Sequence, residues 1–286
     1  MSKRLIPRLR ELLRVLRSAS MLDKLPPTLS VHQLRYQRGD RVILDGVDWC
    51  VRPGEHWVIL GPNGCGKTSL INCLTGYEMA TAGHIAVEGA EFGRTDWREV
   101  RKRVGLVTST LSAYLEPGEP VLDAVVSGRE AMLNLVGAVD AVLVDEASAL
   151  LHRMGCGYLR ESCWGVLSQG ERQKILICRA LMAKFHVLIL DEPCAGLDPV
   201  ARERFLQWLQ VLASQPGAPS MVLVTHHVEE ILPCFSHVLV LRQGRVLALG
   251  SKESVLTAGH LSEAYGAALK LETIGERYRL HLDSEA

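Results

Sequence analysis

The sequence lacks the long apolar runs of a membrane-spanning protein and the excess of basic residues typical of a nucleic-acid-binding protein. No stretch approaches the roughly 20 uninterrupted apolar residues that a membrane helix needs. The longest candidate, residues 131–144, is too short and contains Asn134 and Asp140. The 32 basic residues balance the 32 acidic ones, so no overall field attracts nucleic acid. We therefore predict a chain that does not span a membrane by itself and that binds no nucleic acid.

The sequence also lacks the cysteine patterns of metal and redox sites. Its eight cysteines form no C-x-x-C pair and no His/Cys spacing typical of a metal centre. Several lie inside apolar runs, as small core residues do. Because no secretory signal is visible, we expect reduced thiols in a compartment of the cytosolic type.

Residues 1–27 differ from the rest of the chain. Leucines recur at helical spacing over residues 5–16 among the six basic residues of positions 1–20, and Pro26 and Pro27 end the segment. A basic amphipathic extension of this kind can lie on an anionic membrane, contact a partner or act as a targeting sequence. It can equally be a poorly ordered extension or an over-long start, and the sequence leaves these alternatives open.

One glycine-rich stretch dominates the remainder. The sequence GPNGCGKTS follows the apolar run 57–60 and matches the P-loop pattern G-x-x-x-x-G-K-[ST], with a predicted helix after it. Its amides can surround a phosphate chain, and the helix adds its positive dipole end. Lys67 can reach the β- and γ-phosphates, and the hydroxyl of Thr68 can ligate Mg²⁺. We expect the whole loop to bind nucleotide through Gly61, Pro62, Asn63, Gly64, Cys65, Gly66, Lys67, Thr68 and Ser69.

The flanking regions predict a mixed α/β chain. Alternation over residues 29–34, 42–44 and 47–51 predicts three short antiparallel strands before the P-loop. Residues 111–166 change character, since segments 121–133 and 138–154 have helical periodicity. We interpret this part as a helical insert.

Two later stretches are typical of the other side of a nucleotide site. Residues 167–171, Leu-Ser-Gln-Gly-Glu, start a predicted helix, which is a second place for an anion. The apolar run 187–190 ends in Asp191 and Glu192, at the carboxyl end of a predicted buried strand where ligands bind. We expect Asp191 to hold Mg²⁺ through water and Glu192 to polarise an attacking water. His226 ends another apolar run and can hydrogen-bond a γ-phosphate or simply be exposed.

In this order, the motifs resemble the nucleotide-binding domain of the ATP-binding cassette (ABC) proteins over roughly residues 28–266. The resemblance implies an α/β P-loop NTPase fold with an antiparallel β-subdomain and a helical subdomain, the insert lying at about 111–184. Residues 267–286 would be a C-terminal tail. The resemblance to the family also implies ATP hydrolysis with Mg²⁺ by a head-to-tail dimer, either a homodimer or a heterodimer with another ABC ATPase.

The resemblance implies roles for single residues. Tyr36 is similar to the adenine-stacking aromatic, the alternative being a surface tyrosine at a strand end. Glu192 is similar to the general base and His226 to the switch histidine, and with Lys67 they form the catalytic set. Asp198 is similar to a contact across the dimer. The signature that reaches the γ-phosphate on a second subunit would be Ser168, Gln169, Gly170 and Glu171.

Three positions raise further expectations. Ser109 stands where the family has a glutamine that ligates Mg²⁺ and senses a membrane partner. We therefore predict a weaker metal contact at Ser109, and its presence puts coupling to a membrane partner in doubt. Gln169 replaces a common glycine, and a serine at the first position is similar to a branch of cytoplasmic ABC ATPases grouped with molybdenum-transport proteins. Cys65 lies near a helix start, where the pKa of a thiol tends to fall. We expect its alkylation to block ATP binding, unless it is only a small residue that fits the loop.

We predict the ATP-hydrolysing subunit of an ABC transporter, cytoplasmic and peripheral at the inner membrane face, with separate permease subunits. The alternative is a soluble ATP-driven switch that acts on a macromolecular partner. A module that only binds ATP is a third hypothesis, against which intact Glu192 and His226 argue. The transported substrate and the direction of transport are not encoded in this chain.

Overall fold

The computed structural model describes residues 26–135, 139–183 and 185–283, so residues 1–25 of the predicted N-terminal extension lie outside it. The strands are β1 Leu29–Arg38, β2 Arg41–Val51, β3 His56–Leu60, β4 Ala82–Val87, β5 Ala90–Glu91, β6 Val104–Val107, β7 Val187–Asp191, β8 Ser220–Val224, β9 His237–Arg242, β10 Arg245–Ser251, β11 Leu269–Ile274 and β12 Arg277–Leu282. The α-helices are α1 Lys67–Thr75, α2 Trp97–Arg101, α3 Ser109–Ser112, α4 Val121–Val126, α5 Ala141–Arg153, α6 Gln169–Met182, α7 Pro199–Ala213, α8 Lys252–Val255 and α9 Ala258–Tyr265. In the described ranges, no helix has the length and apolarity to cross a bilayer.

A six-stranded sheet in the order β10-β9-β3-β8-β7-β6 forms the centre of the fold. Its strands β9, β3, β8, β7 and β6 are parallel, and β10 is an antiparallel edge. Every residue of β3, β7 and β8 is buried, as expected for parallel strands covered on both faces. The three strands are neighbours, so the segments that follow their carboxyl ends meet at one edge.

A second sheet, in the order β2-β1-β4-β5, is antiparallel. The sequence predicted two strands at 42–44 and 47–51, and this was wrong because β2 runs unbroken from Arg41 to Val51. A register shift between the pairs Leu34–Val47 and Tyr36–Leu44 accommodates the turn-like residues Asp45 and Gly46. Gly46 lies in this bulge with φ of +68°, which glycine adopts without strain.

The helices α4 to α6 lie within the predicted insert, and α3 begins two residues before it. The first predicted helix ends early, since α4 stops at Val126 and a 3₁₀ turn continues over Ser127–Glu130. Helix α6 ties the turn to the core through Arg179, which is 4% exposed and whose pKa burial lowers. Its guanidinium donates to the hydroxyl of Ser127 at 3.1 Å and to the carbonyl of Met132 at 2.6 Å. The domain boundaries themselves stay a prediction.

The predicted C-terminal tail contains the β11–β12 hairpin, paired from Leu269–Leu282 to Ile274–Arg277. Strand β12 packs against the 3₁₀ turn Val228–Glu230. Arg277 donates through Nη1 to the carbonyl of Glu229 at 2.8 Å and through Nη2 to the carboxylate of Glu203 on α7 at 3.0 Å. Strand β12 therefore holds the turn that follows β8.

Candidate active site

The loop between β3 and α1 has a backbone path that requires glycine. Gly66 precedes α1 with φ of 110°, and a Cβ there would lie 2.8 Å from Cδ2 of Leu44. A Cβ on Gly61 would lie 2.3 Å from the carbonyl oxygen of Leu241. A side chain at Gly61 would displace the backbone of β9, and one at Gly66 would displace the buried side chain of Leu44. The amides of this loop consequently stay close to any phosphate that enters it.

Lys67 is the buried cation of the loop. Its side chain is 4% exposed, and Nζ donates to the carbonyls of Gly61 at 2.7 Å and Pro62 at 3.1 Å. An ammonium group has three protons, so one donor direction remains for a phosphate oxygen. The loop thus orients its own lysine.

A cavity of about 270 Å³ opens over this loop. Arg41 and Ile43 line it, although the sequence analysis missed both. They lie two positions apart on β2, on the same face of the strand. Only the packing of β2 over the loop reveals them, since no motif contains them. The predicted residues that line the cavity are Asn63, Gly64, Gly66, Lys67, Thr68, Ser69 and Glu192.

Tyr36, the predicted adenine platform, is not among the described residues that line this cavity. Its side chain is 7% exposed, and its hydroxyl accepts a hydrogen bond from Nε of Arg38 at 3.3 Å. The ring therefore packs in the core of the antiparallel sheet. Its role in adenine binding stays a prediction.

Asp191 lies at the end of β7 and is 4% exposed. Burial raises the pKa of its carboxyl group, and hydrogen bonds with the hydroxyls of Thr68 and Thr108 oppose this. Thr108 donates to Oδ2 at 3.2 Å, whereas Oδ1 is buried with no hydrogen-bond partner in the described part of the chain. An unpartnered buried carboxylate oxygen beside a threonine hydroxyl suits a hard cation such as Mg²⁺.

Ser109, the predicted metal contact, begins helix α3, and its side chain is outside the described structure. The preceding residue, Thr108, is fully buried and contacts Asp191. The sequence analysis missed Thr108, because only the pairing of β6 with β7 brings this residue to Asp191.

Glu192 and His226 face each other beyond the ends of β7 and β8. Nδ1 of His226 lies 3.0 Å from Oε1 of Glu192, and an ionised carboxylate only accepts, so this hydrogen bond requires the proton on Nδ1. Glu192 has φ of +49°, a strained value for a non-glycine residue, and its amide donates to Val224 at 2.8 Å. Tyr265 donates to the carbonyl of His226 at 3.2 Å. Glu192 and His226 are thus positioned by hydrogen bonds to each other, to the carbonyl of Val224 on β8 and to Tyr265.

The predicted signature caps its own helix. Ser168 precedes α6, and its hydroxyl accepts from the amide of Glu171 at 3.4 Å in a capping box. In return, Oε2 of Glu171 accepts from the amide of Ser168 at 2.9 Å and from its hydroxyl at 2.7 Å, and these bonds lower the pKa of Glu171. Tyr158 donates to Oε1 at 2.9 Å. Glu171 therefore stabilises the helix start, while Ser168 and Gln169 are exposed.

Asp198 begins α7 beside the signature. Its carboxylate accepts from the amides of Ala201 and Val200, both at 2.9 Å, and these bonds lower its pKa. A Cβ on Gly170 would lie 2.7 Å from the carbonyl oxygen of Gly196, so the two turns touch through backbone. The signature and Asp198 form one surface, and no described residue of either lines the cavity at the P-loop.

The predicted fall in the pKa of the Cys65 thiol was wrong, whereas its alkylation in competition with ATP stays a prediction. Burial raises the pKa of its thiol, and the nearby charge of Lys67 opposes this only in part. The side chain is 4% exposed. Desolvation disfavours the thiolate more than the helix start favours it. Cys65 is therefore a small residue packed under the loop.

A family model described as "ABC transporter" matches residues 44–195, more than half of the chain. The chain belongs to the ABC transporter family. The ABC transporter ATP-binding protein YlmA of Bacillus subtilis is 40% identical over 235 residues, which cover 82% of this chain and 89% of that protein. The energy-coupling factor transporter ATP-binding protein EcfA of Methanoculleus marisnigri is 31% identical over 226 residues, covering 78% and 79%.

The solved structures agree on the ABC fold. A dimeric ATP-binding cassette in a post-hydrolysis state, bound to ADP and phosphate, superimposes with a TM-score of 0.68 at 22% identity and covers 78% of this chain and 98% of that one. The predicted α/β P-loop NTPase fold is thereby confirmed. This ABC protein is an ATP-binding, ATP-hydrolysing subunit of the transporter type, as the sequence predicted.

Proposed function

We propose that this ABC ATPase hydrolyses ATP at sites shared between two cassettes, with the P-loop of one chain facing the signature of the other. One observation carries this proposal. The P-loop cavity contains Lys67, Thr68 and Glu192 but no described signature residue, while Ser168 and Asp198 are exposed on a separate surface. A second copy, or another ABC ATPase, can supply the missing face.

In the proposed mechanism, the loop amides and Lys67 bind the β- and γ-phosphates, and Glu192 accepts a proton from the attacking water. His226 fixes the carboxylate of Glu192 through Nδ1 and can turn its other ring nitrogen to the γ-phosphate. Thr68 and Asp191 would hold Mg²⁺, with Ser109 as a weaker predicted contact. When bound, Mg²⁺ neutralises phosphate charge during transfer.

The substitution Glu192→Gln tests this assignment. The amide keeps the shape of the side chain but cannot accept the proton, so turnover should fall about 10²- to 10⁴-fold while ATP binding remains. Phosphate release and nucleotide binding are measured on the same preparation. Glu88→Gln, which alters a surface carboxylate bound to His186, is the control. Unchanged turnover in Glu192→Gln would reject the proposed base.

We further propose that separate membrane subunits bind this protein and hold it at the inner face of the membrane. Curated relatives carry transporter names, which supports this proposal. A groove of about 590 Å³ lies between α2 and the segment that follows the 3₁₀ turn Ser127–Glu130, and the exposed Met132 lines it. Lys102 bridges its two sides through Glu99 at 3.0 Å and Glu130 at 2.8 Å. Charged side chains line most of this groove beside Met132 and Leu133, so it can receive an amphipathic segment of a partner.

Affinity purification of tagged Glu192→Gln protein with ATP, from gently solubilised native cells, tests the membrane partner. We expect a stoichiometric polytopic membrane protein, and less of it when Met132→Glu is added. Recovery of a soluble ATP-dependent dimer alone, or of one with a macromolecular complex, would favour the alternative of a soluble switch. Ser109 would then mark a cassette that is not coupled to a permease.

A further inference from the structure

A second cavity, of about 230 Å³, lies between α6, α7 and the end of α5, and shares no described lining residue with the P-loop cavity. Its floor is apolar. Ile177 and Phe205 line it and are 1% and 3% exposed. Trp208 stacks on Phe205 with ring centroids 6.0 Å apart and planes at 21°. Positions 201, 204, 205 and 208 lie on one face of α7, so the helix presents its aromatic side to this space.

The rim of this cavity is basic. His152, Arg153, Lys174 and Arg204 line it, and no acidic residue of the described chain does. The adjacent carboxylate of Glu203 is bound to Arg277 instead. No ion pair within 4.0 Å joins Arg153, Lys174 or Arg204 to a carboxylate in the described ranges. Cations gathered around a low-dielectric pocket create a positive potential that attracts an anion.

We propose that this cavity binds a small organic anion with an aromatic or otherwise apolar body and one carboxylate, sulfonate or phosphate group. An apolar cavity of about 150 Å³ can hold benzene, so the observed volume suits a ring system of one or two rings. The body stacks on Trp208 above the apolar floor. The anionic group accepts hydrogen bonds from Arg204, whose planar guanidinium matches such groups.

The cavity lies directly behind the surface proposed to face a second cassette. Lys174 is on α6, the helix that the signature begins, and Leu197 precedes Asp198. Besides the hydrogen bonds that are the main cause, the charge of Lys174 contributes to the lowered pKa of both Glu171 and Asp198. An anion beside Lys174 therefore alters the field at both residues. Any effect on turnover rests on the proposed shared site, whereas binding itself does not.

The test is isothermal titration of the full chain with 1-naphthalenesulfonate, without nucleotide. We expect saturable 1:1 binding, and much weaker binding of the uncharged analogue 1-naphthalenesulfonamide. Arg204→Ala should weaken binding of the sulfonate about tenfold. Arg202→Ala is the matched control, since Arg202 is on the same helix and does not line the cavity. It should bind as the unaltered chain does.

The alternatives give different results. Absence of saturable binding, equal binding of both probes, or equal weakening by Arg202→Ala and Arg204→Ala would each overturn the proposal. Trp208→Phe keeps an aromatic ring, so it should retain more affinity than Trp208→Ala. The Lys67→Ala chain should bind the sulfonate normally. Failure of the shared-site proposal thus leaves this result unaffected.

Discussion

The P-loop region and the signature region carry equally recognisable motifs but differ in how their polar groups are used. In the P-loop region, Lys67 is buried, and one buried oxygen of Asp191 has no hydrogen-bond partner among the described residues. In the signature region, Ser168 and Glu171 satisfy each other, and Ser168 is exposed. One region is a cavity with polar groups free to bind a ligand, and the other is an exposed surface whose polar groups bind each other. A motif therefore identifies the chemical groups at a site, whereas burial and hydrogen bonding show which of those groups still need a partner from outside the chain.

The largest expected effect is on the P-loop side. Lys67→Ala removes the buried cation that the loop carbonyls orient, so turnover should fall at least about 10²-fold, and ATP binding should weaken strongly. Equilibrium binding of labelled ATP and phosphate release measure the two effects. Lys102→Ala, at a salt-bridged surface lysine, is the control. Unchanged ATP affinity in the Lys67→Ala variant would contradict the assignment of the P-loop region as the ligand-binding side.

A mixture of variants tests whether the two regions act in different chains. Ser168→Arg blocks the signature surface, and Lys67→Ala disables the loop, so each alone should be nearly inactive. A mixed dimer has one site with both an intact loop and an intact signature. Its turnover should exceed that of either variant by about tenfold. No gain in turnover on mixing would contradict an active site built from the P-loop of one chain and the signature of the other. Thermal unfolding checks that Ser168→Arg, which loses a helix cap worth about 1 kcal/mol, remains folded.

A smaller effect is expected at the edge of the P-loop cavity. Arg41→Ala removes an exposed cation that lines it, which should weaken ATP binding by about fivefold, near 1 kcal/mol. Arg35→Ala, on the adjacent strand and outside the cavity, should leave affinity unchanged. Competition binding with labelled ATP compares the two. Equal losses would show that overall charge, rather than position, is responsible.

The smallest effect concerns thiol chemistry. Because burial raises the pKa of Cys65, its thiolate is scarce near neutral pH, and the alkylation rate should still be rising at pH values where an ordinary thiol has levelled off. Peptide mass spectrometry over a pH series should show that the exposed Cys163 reacts at least about tenfold faster. Rapid labelling of Cys65 at neutral pH would restore the reactive-thiol hypothesis.

Much of the site could be predicted because its signals are local. The helix start at Lys67, the acids after β7 and the cap at Ser168 each follow from a few adjacent residues. Arg41 and Thr108 could not be assigned in this way, because each acts through a segment distant in the chain. Thr108 meets Asp191 across 83 positions. Strand pairing, which no short motif encodes, brings them together.

The fold shows the same limit. The bulge in β2 was missed because Asp45 and Gly46 have the composition of a turn, and only pairing with β1 keeps the strand continuous. The C-terminal hairpin had a usable signal. Apolar residues alternate on both sides of Gly275, whose φ of +61° suits a tight turn. The described part of residues 267–286 is therefore more ordered than the term tail implies.

The contact between Arg277 and the carbonyl of Glu229 has a consequence for biosynthesis. Chains emerge from the ribosome N-terminus first, at about 5–20 residues per second, and domains fold as they appear. The P-loop is therefore translated roughly 10 to 40 s before strand β12, which holds the turn beyond His226. During that interval a nascent chain has its phosphate loop but lacks the contact that positions the turn after the histidine. The order of translation thus allows this contact to form only after the P-loop, the signature and Glu192 have all been synthesised.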